Sequence, residues 1–261
     1  MYGSAGRWGG RLTNRPLPSA DAQLDALEDS QRAELVAVWL GRTAAERRVA
    51  DAFEVVRDAL KELGAGDELV ALATRAVDDE YRHEELSRQV ASRFAGRELE
   101  TPPRLTLVVP EHPGAEGDLL RTLHVLGHCA MNETFASAFL ETSLVSAQAP
   151  LARAAVQELL SDEIDHARLG WAHLGTLSAA RRREVSPWVL PMVRANLKMW
   201  RETPRPYSAD VAIHRHGAPP AGAVEAALLG AISDLVIPGL ERFELETAPL
   251  KTWFAEGAKT D

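Results

Sequence analysis

Two copies of one short motif, Asp-Glu-x-x-His, stand in strongly helical parts of the sequence, at residues 79–83 and 162–166. A Glu and a His three positions apart lie on the same face of an α-helix, because three residues make nearly one turn. A carboxylate and an imidazole in this arrangement can bind one metal ion. Two such helices that face each other could therefore hold two ions.

A lone glutamate precedes each copy of the motif. Glu46 lies upstream of residues 79–83, and Glu133 lies upstream of residues 162–166. The order is thus Glu, Glu-x-x-His, Glu, Glu-x-x-His over four predicted helices, which is a ligand set that four-helix bundles use to bind two metal ions. The complete candidate set is Glu46, Glu80, His83, Glu133, Glu163 and His166.

Roles other than metal binding are open for single members of this set. The carboxylates could pair with three nearby arginines, Arg42, Arg47 and Arg82. Glu46 also fits a capping box with Thr43, which would be a purely structural role. For the six residues together we favour a shared metal site, because an unpaired ionised carboxylate on a buried helix face is costly.

The types of ligand indicate which metals to expect. Four carboxylates and two imidazoles without a thiolate favour iron or manganese over a structural zinc site. We expect two iron ions as the cofactor, with manganese or a mixed manganese–iron pair as the alternative.

The aspartate before each paired Glu predicts a supporting role for that residue. It lies about 100° further round the helix, so it points towards a neighbouring helix. A metal-bound His usually donates its other N–H to a carboxylate. We therefore predict that Asp162 supports His83 and that Asp79 supports His166, whereas a solvated surface aspartate is the alternative in each case.

Small side chains near the glutamates predict room for a small organic molecule, with plain helix packing as the alternative. The candidate pocket residues are Cys129, Ala136, Ser137 and Gly170. Other histidines are weaker candidates for the site. On a regular helix His128 lies about 140° from the face of Glu133, so we expect it in the core or on the surface. We expect His216 to be an exposed loop residue.

Composition excludes several classes of protein. The 261 residues carry a net charge of −9, which argues against a nucleic-acid partner or an anionic membrane surface. The single cysteine, Cys129, excludes an internal disulfide and fits a reducing compartment. No apolar run predicts a membrane span. We expect a cytoplasmic protein.

Apolar residues at steps of three and four predict all-α structure. We expect residues 1–18 to be a disordered tail and residues 19–261 to form one helical domain. A core bundle occupies about 20–178 and a C-terminal helical extension occupies 180–256. Prolines and glycines predict a long connection at 97–117 and a loop at 203–220. Gly41 is expected to interrupt the first helix, and Pro238 to kink or restart the last long one.

These motifs resemble the ferritin-like di-iron carboxylate superfamily over roughly residues 35–178. The resemblance runs through Trp39-x6-Glu46-x6-Phe53, Asp79-Glu80-x-x-His83 with Phe94-Ala-Gly-Arg97, Gly127-x5-Glu133-Thr134, and Asp162-Glu163-x-x-His166-Ala167. It implies a ferritin-like four-helix bundle with a long crossover between helices 2 and 3 and additional C-terminal helices.

The resemblance also implies roles for the ligands. Glu80 and Glu163 would bridge the two ions, Glu46 would bind with His83, and Glu133 with His166. In monooxygenase members the preceding aspartates bond to the ligand histidines, which matches Asp79 and Asp162, and a hydroxyl residue follows the third-helix Glu, which matches Ser137. A radical-forming ribonucleotide reductase subunit would carry Tyr where Ser87 stands, so that activity is not expected.

We therefore expect an oxidoreductase: a non-haem di-iron oxygenase or oxidase that activates O2 or peroxide and acts on a small organic substrate. It would require an electron donor, for example a separate reductase, and its oligomeric state is left open. Two alternatives remain. One is a ferroxidase or rubrerythrin-like protein that handles peroxide or iron, and the other is a non-catalytic metal-binding bundle.

Overall fold

The computed structural model describes residues 16–203 and 209–259, and within them it contains helices and loops but no β-strand. The all-α fold expected from the sequence is thus confirmed. The predicted disordered tail falls mostly outside these residues.

Four long helical segments make up the first two thirds of the chain. A single turn, α1, precedes them. The bounds are α1 (Ala22–Asp25), α2 (Asp29–Glu62), α3 (Asp67–Ala95), α4 (Gly117–Val125), α5 (Glu133–Ser146) and α6 (Pro150–Thr176). A π-helical turn, Leu126–Asn132, joins α4 to α5, so the two form one continuous helical segment.

The C-terminal third adds shorter helices. They are α7 (Ala179–Val185), α8 (Val189–Glu202), α9 (Val211–Arg215), α10 (Ala221–Ala231), α11 (Ile237–Arg242) and α12 (Ala248–Ala255). A second π-helical turn, Ile232–Val236, joins α10 to α11. Pro238 therefore does not end the helix, because the wider turn directly before it accommodates a residue that lacks a backbone N–H.

Helix α2 is continuous, so the predicted interruption at Gly41 is wrong. A glycine costs a helix interior only about 0.5–1 kcal/mol, and packing along 34 residues outweighs that cost. The hydroxyl of Thr43 donates to the carbonyl of Trp39 inside the helix. Thr43 is thus not an N-cap, and the capping-box role considered for Glu46 is wrong.

The long helices contact one another through ion pairs and hydrogen bonds at both ends. At one end Arg121 of α4 pairs with Glu62 of α2, and at the other Arg42 of α2 donates to Ser143 of α5. These contacts set α2 antiparallel to α4 and α5. A connection of only four residues, 63–66, makes α2 and α3 antiparallel as well.

Helices α3 and α6, which carry the two Asp-Glu-x-x-His motifs, also run antiparallel. Arg82 of α3 donates to Glu158 of α6 over 3.0 Å, and Arg75 donates to Asp165 over 3.3 Å. Residue numbers thus fall along α6 as they rise along α3, so the helices run in opposite directions. Each pair includes a residue of one motif, so the motifs lie side by side at one level of the bundle.

The C-terminal helices pack on this bundle. Met192 of α8 and Leu228 of α10 belong to the same buried apolar cluster as Leu126 and Phe135. The helix Ala221–Arg242 contains an 18-residue stretch with a mean hydropathy of 1.6 and is long and apolar enough to cross a membrane, which corrects the expectation that no such run exists. Within this stretch 39 % is buried.

Of the segment predicted as a loop at 203–220, residues 204–208 lie outside the described residues. The part from residue 209 onward contains α9 and contacts one end of the bundle. His216 is only 3 % exposed, so the expectation of an exposed histidine is wrong. Its ring packs edge-on against Phe94, and its backbone carbonyl accepts a hydrogen bond from the indole of Trp39.

Candidate metal centre

The structure brings the six candidate ligands together from four different helices. Their donor atoms form two overlapping groups, and all the donor atoms of a group lie within 4.8 Å of one another. One group contains Glu46, Glu80, His83 and Glu163, and the other contains Glu80, Glu133, Glu163 and His166. Either group could hold a metal ion.

Glu80 and Glu163 belong to both groups because each lies between the two imidazoles. The oxygens of Glu80 are 3.4 Å from Nδ1 of His83 and 3.0 Å from Nδ1 of His166. Those of Glu163 are 3.6 Å and 3.3 Å from the same two atoms. A carboxylate that faces two donor sets in this way can place one oxygen on each of two metal ions.

The site is largely buried, and several of its polar atoms lack a partner among the described residues. Glu80 and His83 are 0 % exposed, and both Glu80 oxygens and Nδ1 of His83 have no hydrogen-bond partner of acceptable geometry. Unpaired buried polar atoms are costly. Metal ions that accept these lone pairs would remove that cost, so the residues fit a metal centre.

Arginines do not take the place of a metal. Arg82 bonds to Asp79, Asp162 and Glu158, and Arg47 pairs with Glu84 of α3. Arg42 donates to the carbonyl of Gly217 and stacks on Trp39.

Without metal, the carboxylates differ in their affinity for protons. Burial, followed by the nearby charge of Glu80, raises the pKa of Glu46 to about 8. Burial and the charge of Glu163 raise the pKa of Glu133. Burial alone would also raise the pKa of Glu80, but the two adjacent imidazoles outweigh it and lower that pKa. Of these three glutamates, Glu80 is therefore the one that stays ionised.

The histidines respond in the opposite direction. Burial alone would lower the pKa of His83, but Glu80 and Asp162 outweigh burial and raise it to about 10. The pKa of His166 is raised in the same way by Asp79, Glu163 and Glu80. Protons thus balance the charge of the metal-free site, and metal ions that bind there would have to displace them.

Each motif aspartate lies beside the histidine of the other motif, which is the crossed arrangement expected from the sequence. Nε2 of His83 is 3.2 Å from Oδ2 of Asp162, and Nε2 of His166 is 3.5 Å from Oδ2 of Asp79. Arg82 donates to both aspartates. Asp79 is 7 % exposed and Asp162 is 6 % exposed, so neither is a solvated surface residue. Their effect on metal binding stays a prediction.

Two further residues contact Glu133, and the sequence did not indicate either of them. The amide of Asn132 donates to Oε1 of Glu133 over 2.9 Å, and Nε2 of His128 lies 3.1 Å from the same oxygen in an orientation that does not form a hydrogen bond. Both residues belong to the π-helical turn Leu126–Asn132. Residues five apart align in such a turn, so His128 faces Glu133 despite the 140° that regular helix geometry predicts.

A cavity of about 380 Å³ adjoins the centre. Glu46, Glu133 and Glu163 form part of its wall. Helices α2, α4 and α5 form its sides, and the connection before α4 together with α8 covers it. Its size is within the range of binding sites for small organic molecules.

Of the four predicted pocket residues, only Ala136 lines this cavity. Cys129 is buried in an apolar cluster with Phe53, and Ser137 has a buried hydroxyl without a partner. Gly170 is a packing residue, because a Cβ atom there would lie 2.2 Å from the backbone nitrogen of Ala130. The close approach of α6 to the π-helical turn requires a glycine.

No protein-family model matches the chain, and no curated protein or solved structure matches it either. Its function must therefore be inferred from the geometry of the site.

Proposed function

We propose that the protein is a di-iron enzyme that uses dioxygen to oxidise an organic substrate. The observation that carries this proposal is the cavity of about 380 Å³ beside three of the four candidate glutamates. An enzyme that oxidises an organic molecule needs space of this size next to its metal ions. A protein whose substrate is iron itself has no such need.

The path of the chain supports the ferritin-like arrangement. Helix α3 ends beside the first part of α2, since Phe94 and Leu35 belong to the same buried apolar cluster. Helix α4 begins where α2 ends, at the pair of Arg121 with Glu62. Residues 96–116 connect these two ends of α2, as the long crossover of a ferritin-like fold would. Arg104 in this segment bonds to Asp51 midway along α2.

The two overlapping donor groups indicate which residues would hold which ion. Glu80 and Glu163 would bind both ions, Glu46 and His83 would complete one shell, and the remaining two residues the other. Four carboxylates balance the charge of two divalent ions. Oxygen and nitrogen donors without a thiolate suit iron, and they also suit manganese.

Two iron(II) ions, when bound, would supply electrons for the reduction of dioxygen. The protein's own residues position and shield them. Asp162 and Asp79 orient the two histidines, and Arg82 holds both aspartates in place. The cavity holds the substrate beside Glu46 and Glu133. Electrons for further turnovers would come from a separate donor.

Iron counting tests the proposal. Apo protein is titrated anaerobically with Fe(II), exposed to air and desalted, and iron per chain is measured. We expect about two irons per chain, because the described residues present one such ligand set, together with rapid consumption of O2. Glu80→Gln should lose this iron, whereas Glu85→Gln, on the exposed face of the same helix, should retain it.

Other results would support the alternatives. Uptake of tens of irons per chain would indicate iron storage. Two retained irons that consume peroxide but not O2 would indicate a peroxidase. Two retained irons without either reaction would leave a non-catalytic metal-binding bundle.

A further inference from the structure

The cavity extends from the buried centre to the protein surface. Residues that line it occur along α2 from Val38 to Val56, a distance of about 27 Å at 1.5 Å per residue. Val108 and Met199 also line it and are 80 % and 40 % exposed. The cavity therefore opens to solvent between the connection before α4 and helix α8, and its opening is apolar.

Most of the wall between this opening and the glutamates is apolar. Val49, Leu123, Phe139, Met192 and Leu140 all contribute to it. Three imidazoles line the cavity, and burial lowers the pKa of two of them, His112 and His124, so these two are mostly neutral at pH 7. Such a wall favours an aliphatic or aromatic surface on the ligand.

Two permanent cations line the cavity, and they differ in their partners. Arg42 donates to the carbonyl of Gly217 and stacks on two aromatic rings. Arg48 is half-buried, and it makes no hydrogen bond or ion pair with any residue that the structure describes. A half-buried guanidinium without a partner is well suited to bind a carboxylate, which its parallel N–H groups match.

Arg48 and Glu46 line the same cavity but project from α2 in different directions. Two residues along a helix correspond to a rotation of about 200°, so Arg48 points away from Glu46. An anionic group at Arg48 would thus be kept apart from the carboxylates of the centre. The rest of the ligand would have to reach round α2 to Glu46 and Glu133, which requires an extended apolar chain.

We infer that the cavity binds an aliphatic carboxylic acid, with its carboxylate on Arg48 and its chain directed towards Glu46 and Glu133. As an assignment of the oxidised substrate, this inference rests on the proposed function. Binding of the acid does not depend on it and can be measured separately.

Calorimetric titration of the full-length protein tests the inference with three probes: decanoate, decan-1-ol and acetate. We expect decanoate to bind one molecule per chain, about tenfold more tightly than decan-1-ol, because a hydrogen bond to a charged group contributes at least this much. Acetate, which lacks the chain, should show no measurable binding.

Variants assign the interaction to residues. Arg48→Gln should weaken decanoate binding about tenfold and leave the affinity for decan-1-ol unchanged. Arg48→Lys should restore part of the preference for decanoate over decan-1-ol. Arg47→Gln is the matched control, since Arg47 pairs with Glu84 over 3.0 Å and does not line the cavity. Ala195 is an exposed residue of α8 that lines the cavity, so Ala195→Phe should weaken the binding of both ligands.

Several outcomes would overturn the inference. Equal affinity of the wild type for decanoate and decan-1-ol, or an undiminished preference in Arg48→Gln, would show that Arg48 does not bind the carboxylate. Absence of binding by both ligands would show that the cavity does not accept aliphatic chains. If the protein holds two irons and binds no decanoate, this inference fails and the proposed function stands. If it binds decanoate and no iron, the proposed function fails instead.

Discussion

The indole N–H of Trp200 donates a 2.9 Å hydrogen bond to Oδ1 of Asn132. The amide of Asn132 in turn donates to Oε1 of Glu133 over 2.9 Å. Trp200 lies on α8, so this chain of two hydrogen bonds links the C-terminal extension to a candidate metal ligand. The extension therefore does more than cover the bundle, because it fixes one oxygen of Glu133 and leaves the other for a metal ion.

Trp200→Phe should weaken binding of the metal ion on the Glu133 side. The ring is retained and only the N–H is lost, so we expect a loss of about 1 kcal/mol in stability and a decrease of severalfold in metal affinity. Metal titration and thermal melts measure the two effects. Trp253→Phe is the control, since its indole donates to the carbonyl of Lys259. If both variants bind metal equally well, the chain does not position Glu133.

The metal-loaded protein should melt at a markedly higher temperature than the apo protein. Four carboxylates and two imidazoles lie together with unpaired buried atoms, and binding to the folded state alone stabilises it by mass action, by about 2.7 kcal/mol at a metal concentration of 100 times Kd. Melts with and without Fe(II) under anaerobic conditions provide the measurement. Equal midpoints at saturating Fe(II) would rule out the site.

Asp162→Asn should reduce metal affinity or activity about 10–100-fold, the usual effect of losing a carboxylate that supports a metal-bound histidine. The substitution keeps the shape of the side chain but removes the charge that faces His83 and Arg82. Asp165→Asn is the matched control, because Asp165 lies about one turn further along α6 and pairs with Arg75 and Arg168. Wild-type affinity in Asp162→Asn would show that this contact does not support the metal.

His173→Leu should make the protein less sensitive to acid. His173 is 2 % exposed, its ring nitrogens have no partner, and burial lowers its pKa from 6.5 to about 4. As the pH falls from 6.5 towards 4, the unfolded chain takes up a proton that the folded protein does not, so stability decreases. The loss approaches about 3 kcal/mol below pH 4.

Urea denaturation at pH 7 and at pH 4.5 measures this difference. The wild type should lose more stability than His173→Leu between the two values, since the variant has no imidazole to protonate there. The same loss in both proteins would show that other groups cause the acid sensitivity.

Two helical glycines should respond to alanine in opposite directions. A Cβ at Gly170 would meet the backbone of Ala130 at 2.2 Å, so Gly170→Ala should destabilise the fold by at least about 1–3 kcal/mol. No other atom lies within 4 Å of a Cβ at Gly41 in α2, so Gly41→Ala should stabilise the fold by about 0.5–1 kcal/mol. Chemical denaturation compares them. A tolerated Gly170→Ala would contradict the close approach of α6.

The local sequence was sufficient to predict the helices and the six residues of the candidate centre. Glu80 with His83, and Glu163 with His166, share a helix face because of the 3.6-residue period, which depends only on residues near in sequence. The same period placed Asp162 towards a neighbouring helix, where it lies beside His83.

The remaining features depend on contacts between residues far apart in sequence. The π-helical turn Leu126–Asn132 places His128 and Asn132 on Glu133, and a regular period cannot predict it because one extra residue in a turn shifts the helix face. Likewise, the cavity lies between α2, α5, α8 and the connection, so its size follows from their packing and not from the small residues of any one helix. The sequence by itself thus determined the six candidate ligands and the helices that carry them, whereas only the tertiary structure decided which side chains surround Glu133 and where the cavity lies.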